Sequence, residues 1–229
     1  IWWRLRENDI LKYEFITKVT HKFRTPLTQI GWIAEVLLSK DLDENNKEQI
    51  KKIQNANTKM VELINILANV SASEGNLSVY IIEKNNLSEI VGEVIAAFRQ
   101  QINTKNIKLF ADINPAVFVM CDRQKILFVL QVIIENAIKY TKDGGSISVY
   151  LGSEGQYVHL NVADNGIGLS QEEIPRLFSK FYRTSSAQKA DTEGMGVGLY
   201  ILKDIVSRHG GTISVHSDGL GKGSTFSLL

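Results

Sequence analysis

The chain has 229 residues, a formal net charge of +1, 44% hydrophobic and 22% charged residues, the balance of an ordinary soluble globular protein able to bury one large core or two smaller ones. Near-zero charge excludes a protein that grips nucleic acid through bulk positive charge. A single cysteine, Cys121, excludes an internal disulfide framework and suits a reducing compartment, and the four histidines show no zinc-ligand spacing.

At the N-terminus, Trp2 and Trp3 stand beside Arg4 and Arg6. Aromatic residues followed by positive charge mark the cytoplasmic edge of a membrane helix; the alternative is an apolar packing turn. No stretch reaches the roughly 18–20 apolar residues of a membrane span. The start at Ile1 reads as an excised piece, so the expectation is a cytoplasmic domain cut from a membrane-bound sensor.

Residues 16–72 read as a helical hairpin. Apolar positions recur at Ile16, Val19, Phe23, Pro26, Ile30, Ile33 and Leu37, and again at Ile50, Ile53, Met60, Ile64 and Leu67, with Asn57 at the one missing position. Steps of three and four make a bundle seam. The polar stretch 39–47 links the two helices as antiparallel neighbours. Two helices alone enclose no core, so the seam needs a partner: a second copy, giving a four-helix bundle, or the rest of the chain. Residues 1–15 form a preceding juxtamembrane or signalling helix, and 73–79 a linker.

Residues 80–229 alternate strand and helix. Strands are expected at 80–82, 107–112, 146–151, 158–163, 212–216 and 224–228, and helices at 87–101, 123–140 and 199–209. Closely spaced later strands predict a mixed or antiparallel sheet with helices on one face, an α+β fold overall.

Four local signals carry chemistry. In Asp164-Asn165-Gly166-Ile167-Gly168 a strand ends on a carboxylate able to accept from an exocyclic amine such as that of adenine, with glycines permitting close approach; Asp-Asn-Gly is equally a turn signal. Gly194-Met195-Gly196-Val197-Gly198-Leu199 opens a helix, as a phosphate cradle does, and its spacing is neither a dinucleotide fingerprint nor a P-loop; it could also be a surface loop. Asn136, Lys139 and Tyr140 share one helix face. An amide oxygen can ligate Mg²⁺ and a lysine can hold phosphate, or the face is merely solvated. His21 lies on the outer side of the hairpin, a candidate nucleophile through a neutral ring nitrogen or an ordinary surface histidine.

Taken in order, His21-Lys22-Phe23-Arg24-Thr25-Pro26-Leu27, Asn136 to Thr141, Asp164 to Gly168, Phe178-Ser179-Lys180-Phe181-Tyr182-Arg183 and Gly194 to Leu199 resemble the histidine, N, first glycine, phenylalanine and second glycine boxes of two-component sensor histidine kinases. Gly221 to Phe226 resembles the family's closing segment. The resemblance implies a dimeric hairpin followed by an α/β sandwich of the Bergerat type that binds ATP under a mobile lid spanning roughly 167–198. It implies His21 as phosphoacceptor and Thr25 as the position tied to dephosphorylating the partner. Asn136 would hold Mg²⁺, with Lys139 and Tyr140 beside the phosphates and base, and Asp164 would read adenine. Gly166, Gly168, Gly194, Gly196 and Gly198 would be lid hinges, with Leu199 closing the second box. Arg183 would reach a phosphate, and Phe178 and Phe181 would anchor the lid or pack in the core. The implied activity is autophosphorylation on His21 and transfer to an aspartate of a response-regulator receiver domain. The expected partners are a second copy and that regulator, with no nucleic acid.

Two positions depart from the pattern. Lys22 stands where the family usually has an acidic residue, and a cation there disfavours a protonated ring while removing the acidic partner. Val132 replaces a usual asparagine one turn before Asn136, and it cannot activate water, so efficient ATP hydrolysis is not expected. Both motivate an alternative, a nucleotide-binding dimeric scaffold with weakened kinase activity.

Overall fold

The computed structural model describes residues 2–40, 42–74, 80–155, 157–191, 194 and 196–229; within the first two helices the side chains of residues 2–18, 21, 59, 62, 63 and 65–74 lie outside that description. The chain divides into two compact units, Ile1–Val79 and Tyr80–Leu229.

The first unit is α1 (Trp2–Leu38) and α2 (Glu44–Glu74), which pack along each other. Asp43 opens α2, its carboxylate accepting from the Asn46 backbone N–H at 2.9 Å. Helix α2 runs to Glu74, so residues 73 and 74 are helical and not linker; residues 75–79 lie outside the described residues. Pro26 sits inside α1, where its missing N–H costs a helical hydrogen bond.

The seam between these helices matches the predicted one only in part: Asn57 and Ile64 of the α2 series are buried, whereas the buried line on α1 is shifted by one position. Thr20, Leu27 and Ala34, seven apart on α1, are buried with Asn57 and Ile64, seven apart on α2. Phe23, Ile30 and Ile33 are 51%, 42% and 51% exposed, and Ile53 and Met60 are 53% and 47% exposed. The hairpin therefore has a second apolar stripe beside its internal one. A sequence of small and large apolar residues at overlapping heptads cannot say which stripe faces which neighbour.

The second unit holds two sheets and five helices among the described residues. Strands β1 (Glu83–Asn86) and β3 (Phe118–Cys121) pair antiparallel. The main sheet has the order β2-β4-β5-β7-β6, from β2 (Lys108–Ile113), β4 (Ser146–Glu154), β5 (Tyr157–Asp164), β6 (Ile213–His216) and β7 (Ser224–Leu228). β2 runs parallel to β4 and the other pairs are antiparallel, so the sheet is mixed. Along β4, Ile147, Val149 and Leu151 are buried while Ser148 and Tyr150 are exposed, the alternation of a sheet with one covered face.

Helix α5 (Arg123–Tyr140) is the central element, packed between α3 (Leu87–Ala97) and α7 (Gly198–Arg208) and against β5. It buries Val129, Leu130, Ile133, Ile134, Ala137 and Ile138. Its ends are fixed by side chains. Asp122 accepts from the backbone N–H groups of Gln124 and Lys125. Lys105 Nζ donates to the carbonyls of Ile138, Lys139 and Thr141 at 2.8, 3.1 and 2.8 Å, quenching the unpaired C-terminal acceptors.

Two expectations need correction, and one further strand lies outside the expected set. The helix expected over 87–101 is two, α3 and α4 (Arg99–Thr104), broken at Phe98; the apolar stripe through Ile90, Val91, Val94 and Ile102 continues across the break and hides it. Residues 80–82 are not a strand. The β1–β3 ladder starts at Glu83, paired with Cys121, because Asp122 leaves the ladder to cap α5 and its Oδ2 takes the Ile81 N–H at 3.1 Å. Strand β3 is read by pairing alone: Phe118 and Met120 are exposed and only Cys121 is buried.

Candidate functional site

Strand β5 ends at Asp164, and β7 begins beside it at Ser224, its register partner. Ser224 Oγ donates to Asp164 Oδ2 at 2.6 Å, and the Gly166 N–H donates to Oδ1 at 2.8 Å. Burial raises the Asp164 carboxyl above the ordinary carboxylate value, and the donors from Ser224 and Gly166 pull it part of the way back. The carboxylate is thus oriented from both sides while lone pairs remain for a ligand amine.

The turn after Asp164 is clamped. The Ile167 N–H donates to the Tyr140 carbonyl at 3.2 Å, which joins this turn to the last residue of α5. The closing segment runs alongside: the Gly221 N–H donates to the Ile167 carbonyl at 2.7 Å and the Gly223 N–H to the Gly166 carbonyl at 3.2 Å. Buried Ser217 accepts from the Leu169 N–H at 3.0 Å and donates to the Gly223 carbonyl at 2.6 Å. Gly168 has φ +63°, and a Cβ there would collide with the Gly219 carbonyl; a Cβ at Gly166 would collide with the Tyr140 carbonyl. These glycines serve close backbone approach, a different role from free hinges.

A second cluster gathers around Asp191, just after α6 (Ser185–Ala190). Lys139 Nζ lies 2.6 Å from Asp191 Oδ2, Arg183 Nη2 lies 3.2 Å from the same oxygen, and the Gly194 N–H donates to it at 2.9 Å. Arg183 also donates to the Ala187 carbonyl at 2.9 Å and to the Asp191 carbonyl. Gly196, at φ +68°, lies tight against the Tyr182 carbonyl and the Arg183 side chain. Gly198 is the first residue of α7, with Leu199 next, and among the described residues no side chain caps this helix start. A Cβ on Gly198 would meet the Val132 side chain at 3.3 Å, so Val132 packs where α5 meets α7.

Asn136, Lys139 and Tyr140 all lie on α5, with Asn136 and Tyr140 half-buried. The structure thus brings α5, the Asp164 turn, the Asp191 cluster and the start of α7 together within one unit. His21 and Thr25 lie on α1 in the other unit; Thr25 is exposed, and the His21 side chain is outside the described residues, as are residues 192, 193 and 195. Phe178 is half-buried under the Lys203 ammonium. Phe181 is not a core residue: it is 66% exposed, on a left-handed turn at φ 61°.

Three contributors escape sequence reasoning. Ser224 sits within a glycine-rich closing segment that gives no hint of which hydroxyl faces Asp164. Asp191 gains its meaning only when the chain folds back onto α5. Lys105 lies 33 residues from the carbonyls it caps, starting with Ile138. Chemically, the site offers an oriented carboxylate for an amine-bearing ring, two cations and a glycine-rich helix start for anionic oxygens, and an amide on α5 for a hard cation.

Comparison with known proteins gives two family models: the His Kinase A (phospho-acceptor) domain over residues 11–76 and the histidine kinase-, DNA gyrase B-, and HSP90-like ATPase over residues 121–229. The chain is 30% identical to the phosphate regulon sensor protein PhoR of Pseudomonas aeruginosa over 97% of its own length and 51% of that protein. It is 27% identical to the signal transduction histidine-protein kinase BaeS of Escherichia coli, over 93% of this chain and 46% of that one. The chain thus spans about half the length of these curated relatives. Among solved structures, the catalytic domain of the histidine kinase ThkA matches with a TM-score of 0.57 at 29% identity, covering 65% of this chain and 93% of that one. Full-length ShkA in complex with AMPPNP matches in fold, with a TM-score of 0.79 at 21% identity over 94% of this chain and 45% of that one.

Proposed function

The chain belongs to the sensor histidine kinases of two-component systems, and from that premise we propose that it binds ATP in residues 80–229, phosphorylates itself on His21 and passes the phosphoryl group to an aspartate of a response-regulator receiver domain. The observation that carries this reading is the oriented Asp164 carboxylate, held by Ser224 and Gly166 and joined through the Ile167 N–H to the end of α5. An adenine amine donates to Asp164, while Lys139, Arg183 and the glycine-rich start of α7 supply donors for the phosphates once the two cations leave Asp191. A neutral ring nitrogen of His21 attacks the γ-phosphorus in line; the new P–N bond forms as the bond to the ADP oxygen breaks. The protein contributes positioning and charge stabilisation.

Mg²⁺ fits the donor set, since the Asn136 amide is a hard oxygen ligand and Mg²⁺ keeps waters and phosphate oxygens as its others. When bound, it neutralises charge on the phosphates. Residues 1–15 act as a juxtamembrane or signalling helix leading into the 16–72 hairpin, and 80–229 as the catalytic domain. The exposed stripe of Phe23, Ile30, Ile33, Ile53 and Met60 supports a homodimeric four-helix bundle. Among the described residues no helix is long and apolar enough to cross a membrane. In this reading the core is the cytoplasmic part of a membrane-held sensor.

The test is incubation with γ-labelled ATP. Acid-labile label is expected on the wild type and absent from His21→Gln. No label on wild type that demonstrably binds ATP would overturn kinase activity. That outcome favours the second reading, a nucleotide-binding scaffold, for which Lys22 and Val132 speak. Lys22→Glu then gaining label would identify a weakened kinase.

A further inference from the structure

The Asp191 carboxylate is placed as a phosphate oxygen would be. One oxygen, Oδ2, receives a lysine ammonium from α5, an arginine guanidinium and a backbone N–H of the glycine-rich loop. These are the donor types that hold polyphosphates. The pairing is also sheltered: the Asp191 and Arg183 side chains are 14% and 12% exposed and Lys139 is 35% exposed. Screening by solvent is reduced for the Arg183–Asp191 pair, while Lys139 approaches from the open side.

We propose that Asp191 is an internal stand-in for nucleotide phosphate and so sets the affinity and phosphate selectivity of the site. The inference rests on the reading of this site as an ATP site. Without nucleotide, Asp191 pairs with both Lys139 and Arg183, offsetting part of their positive charge, and ties the end of α6 to Gly194. Nucleotide phosphates carry more negative charge than one carboxylate. They take over Lys139 and Arg183 and displace the Asp191 carboxylate from both cations by like-charge repulsion. Each ATP molecule therefore binds against an ion pair that it must first break. Adenosine, which has no phosphate, engages Asp164 without disturbing Asp191.

The test measures ATP and adenosine binding by calorimetry in Mg²⁺ buffer for wild type and Asp191→Asn. Asparagine keeps the shape and an oxygen for the Gly194 N–H while removing the charge. ATP is expected to bind about tenfold more tightly to D191N, the effect of deleting one competing charge-assisted hydrogen-bond set. Adenosine affinity should stay unchanged. Asp191→Ser, which removes the same charge from a smaller side chain, should tighten ATP by a similar factor if charge and not local shape is responsible. Equal or weaker ATP binding by both variants, with adenosine still bound, overturns the proposal alone. Equal tightening of adenosine overturns it too, since phosphate is then irrelevant. If wild type and both variants bind neither ATP nor adenosine, the nucleotide reading itself falls and takes the proposal with it.

Discussion

Ser224 Oγ donates to Asp164 Oδ2 at 2.6 Å, tying the first residue of β7 to the last residue of β5. This bond partly offsets the burial that raises the Asp164 carboxyl. Ser224→Ala removes the offset and lets the carboxyl rise further. Nucleotide binding needs the ionised acceptor, so it is lost as pH falls through the folded Asp164 value, which burial raises. In S224A that loss begins at higher pH, and affinity at neutral pH falls about tenfold. ATP titrations across pH check both effects.

Asp164→Asn separates function from stability. A carboxyl raised by burial is more stable in the fold when protonated, so its contribution is fully present below the unfolded value and lost as pH rises through the folded one. At neutral pH the ionised group therefore lowers stability. An asparagine can keep Oδ1 toward the Gly166 N–H and donate from Nδ2 to Ser224. The variant should melt at or above the wild-type temperature while ATP affinity falls more than about tenfold. Thermal melting and ATP titration of the same preparation decide it.

Asp122 shows the opposite sign. Burial alone would raise its carboxyl, but the N–H groups of Ile81, Lys125 and Gln124, with the Lys125 charge, together hold it below the ordinary value. Its stabilisation is present above the unfolded value and is lost as pH falls through the depressed folded one, in the acid range below about pH 4. Asp122→Ala removes the α5 cap and leaves the Ile81 N–H without this acceptor. It should cost about 2 kcal/mol at neutral pH. Urea unfolding at pH 7 and at pH 3.5 should show the gap to wild type narrowing in acid.

Much of the second unit is legible because its signals are local. Asp164 ends its strand, the helix expected over 123–140 matches α5, and the strand over 224–228 matches β7. What stays hidden depends on partners far along the chain. Asp191 reads as one acid among polar residues until it meets Lys139, 52 positions away by subtraction of the residue numbers. Strand β1, Glu83-Lys84-Asn85-Asn86, has a composition poor for sheets and is held by register with β3. In the hairpin, the period is legible but the assignment of stripes is not, because Thr20, Leu27 and Ala34 share the heptad rhythm of their larger neighbours.

Gly168→Ala tests the close approach. Its φ of +63° is strained for any side chain, and the new methyl would press on the Gly219 carbonyl. Relief requires parting the first glycine turn from the closing segment, held by the Gly221-to-Ile167 hydrogen bond. The expected cost is about 2–3 kcal/mol in unfolding free energy, with weakened ATP binding.

The exposed stripe of the hairpin yields the last prediction. Phe23, Ile30, Ile33, Ile53 and Met60 are each between 42% and 53% exposed on one chain, while the internal seam of Leu27, Ala34 and Ile64 is already buried at 3%, 3% and 8%. A charge placed on the outer stripe should therefore leave the internal seam intact and act on association. Ile33→Glu puts an unpaired carboxylate into an apolar interface, where desolvation opposes association by several kcal/mol at each copy. Light scattering should give a dimer for wild type and a monomer for I33E at micromolar concentration. Because the charge lies in the first unit, ATP titration of the monomer should still show binding in residues 80–229. A dimeric I33E would place the subunit contact elsewhere, and a monomeric wild type would leave the outer stripe without a second copy to cover it.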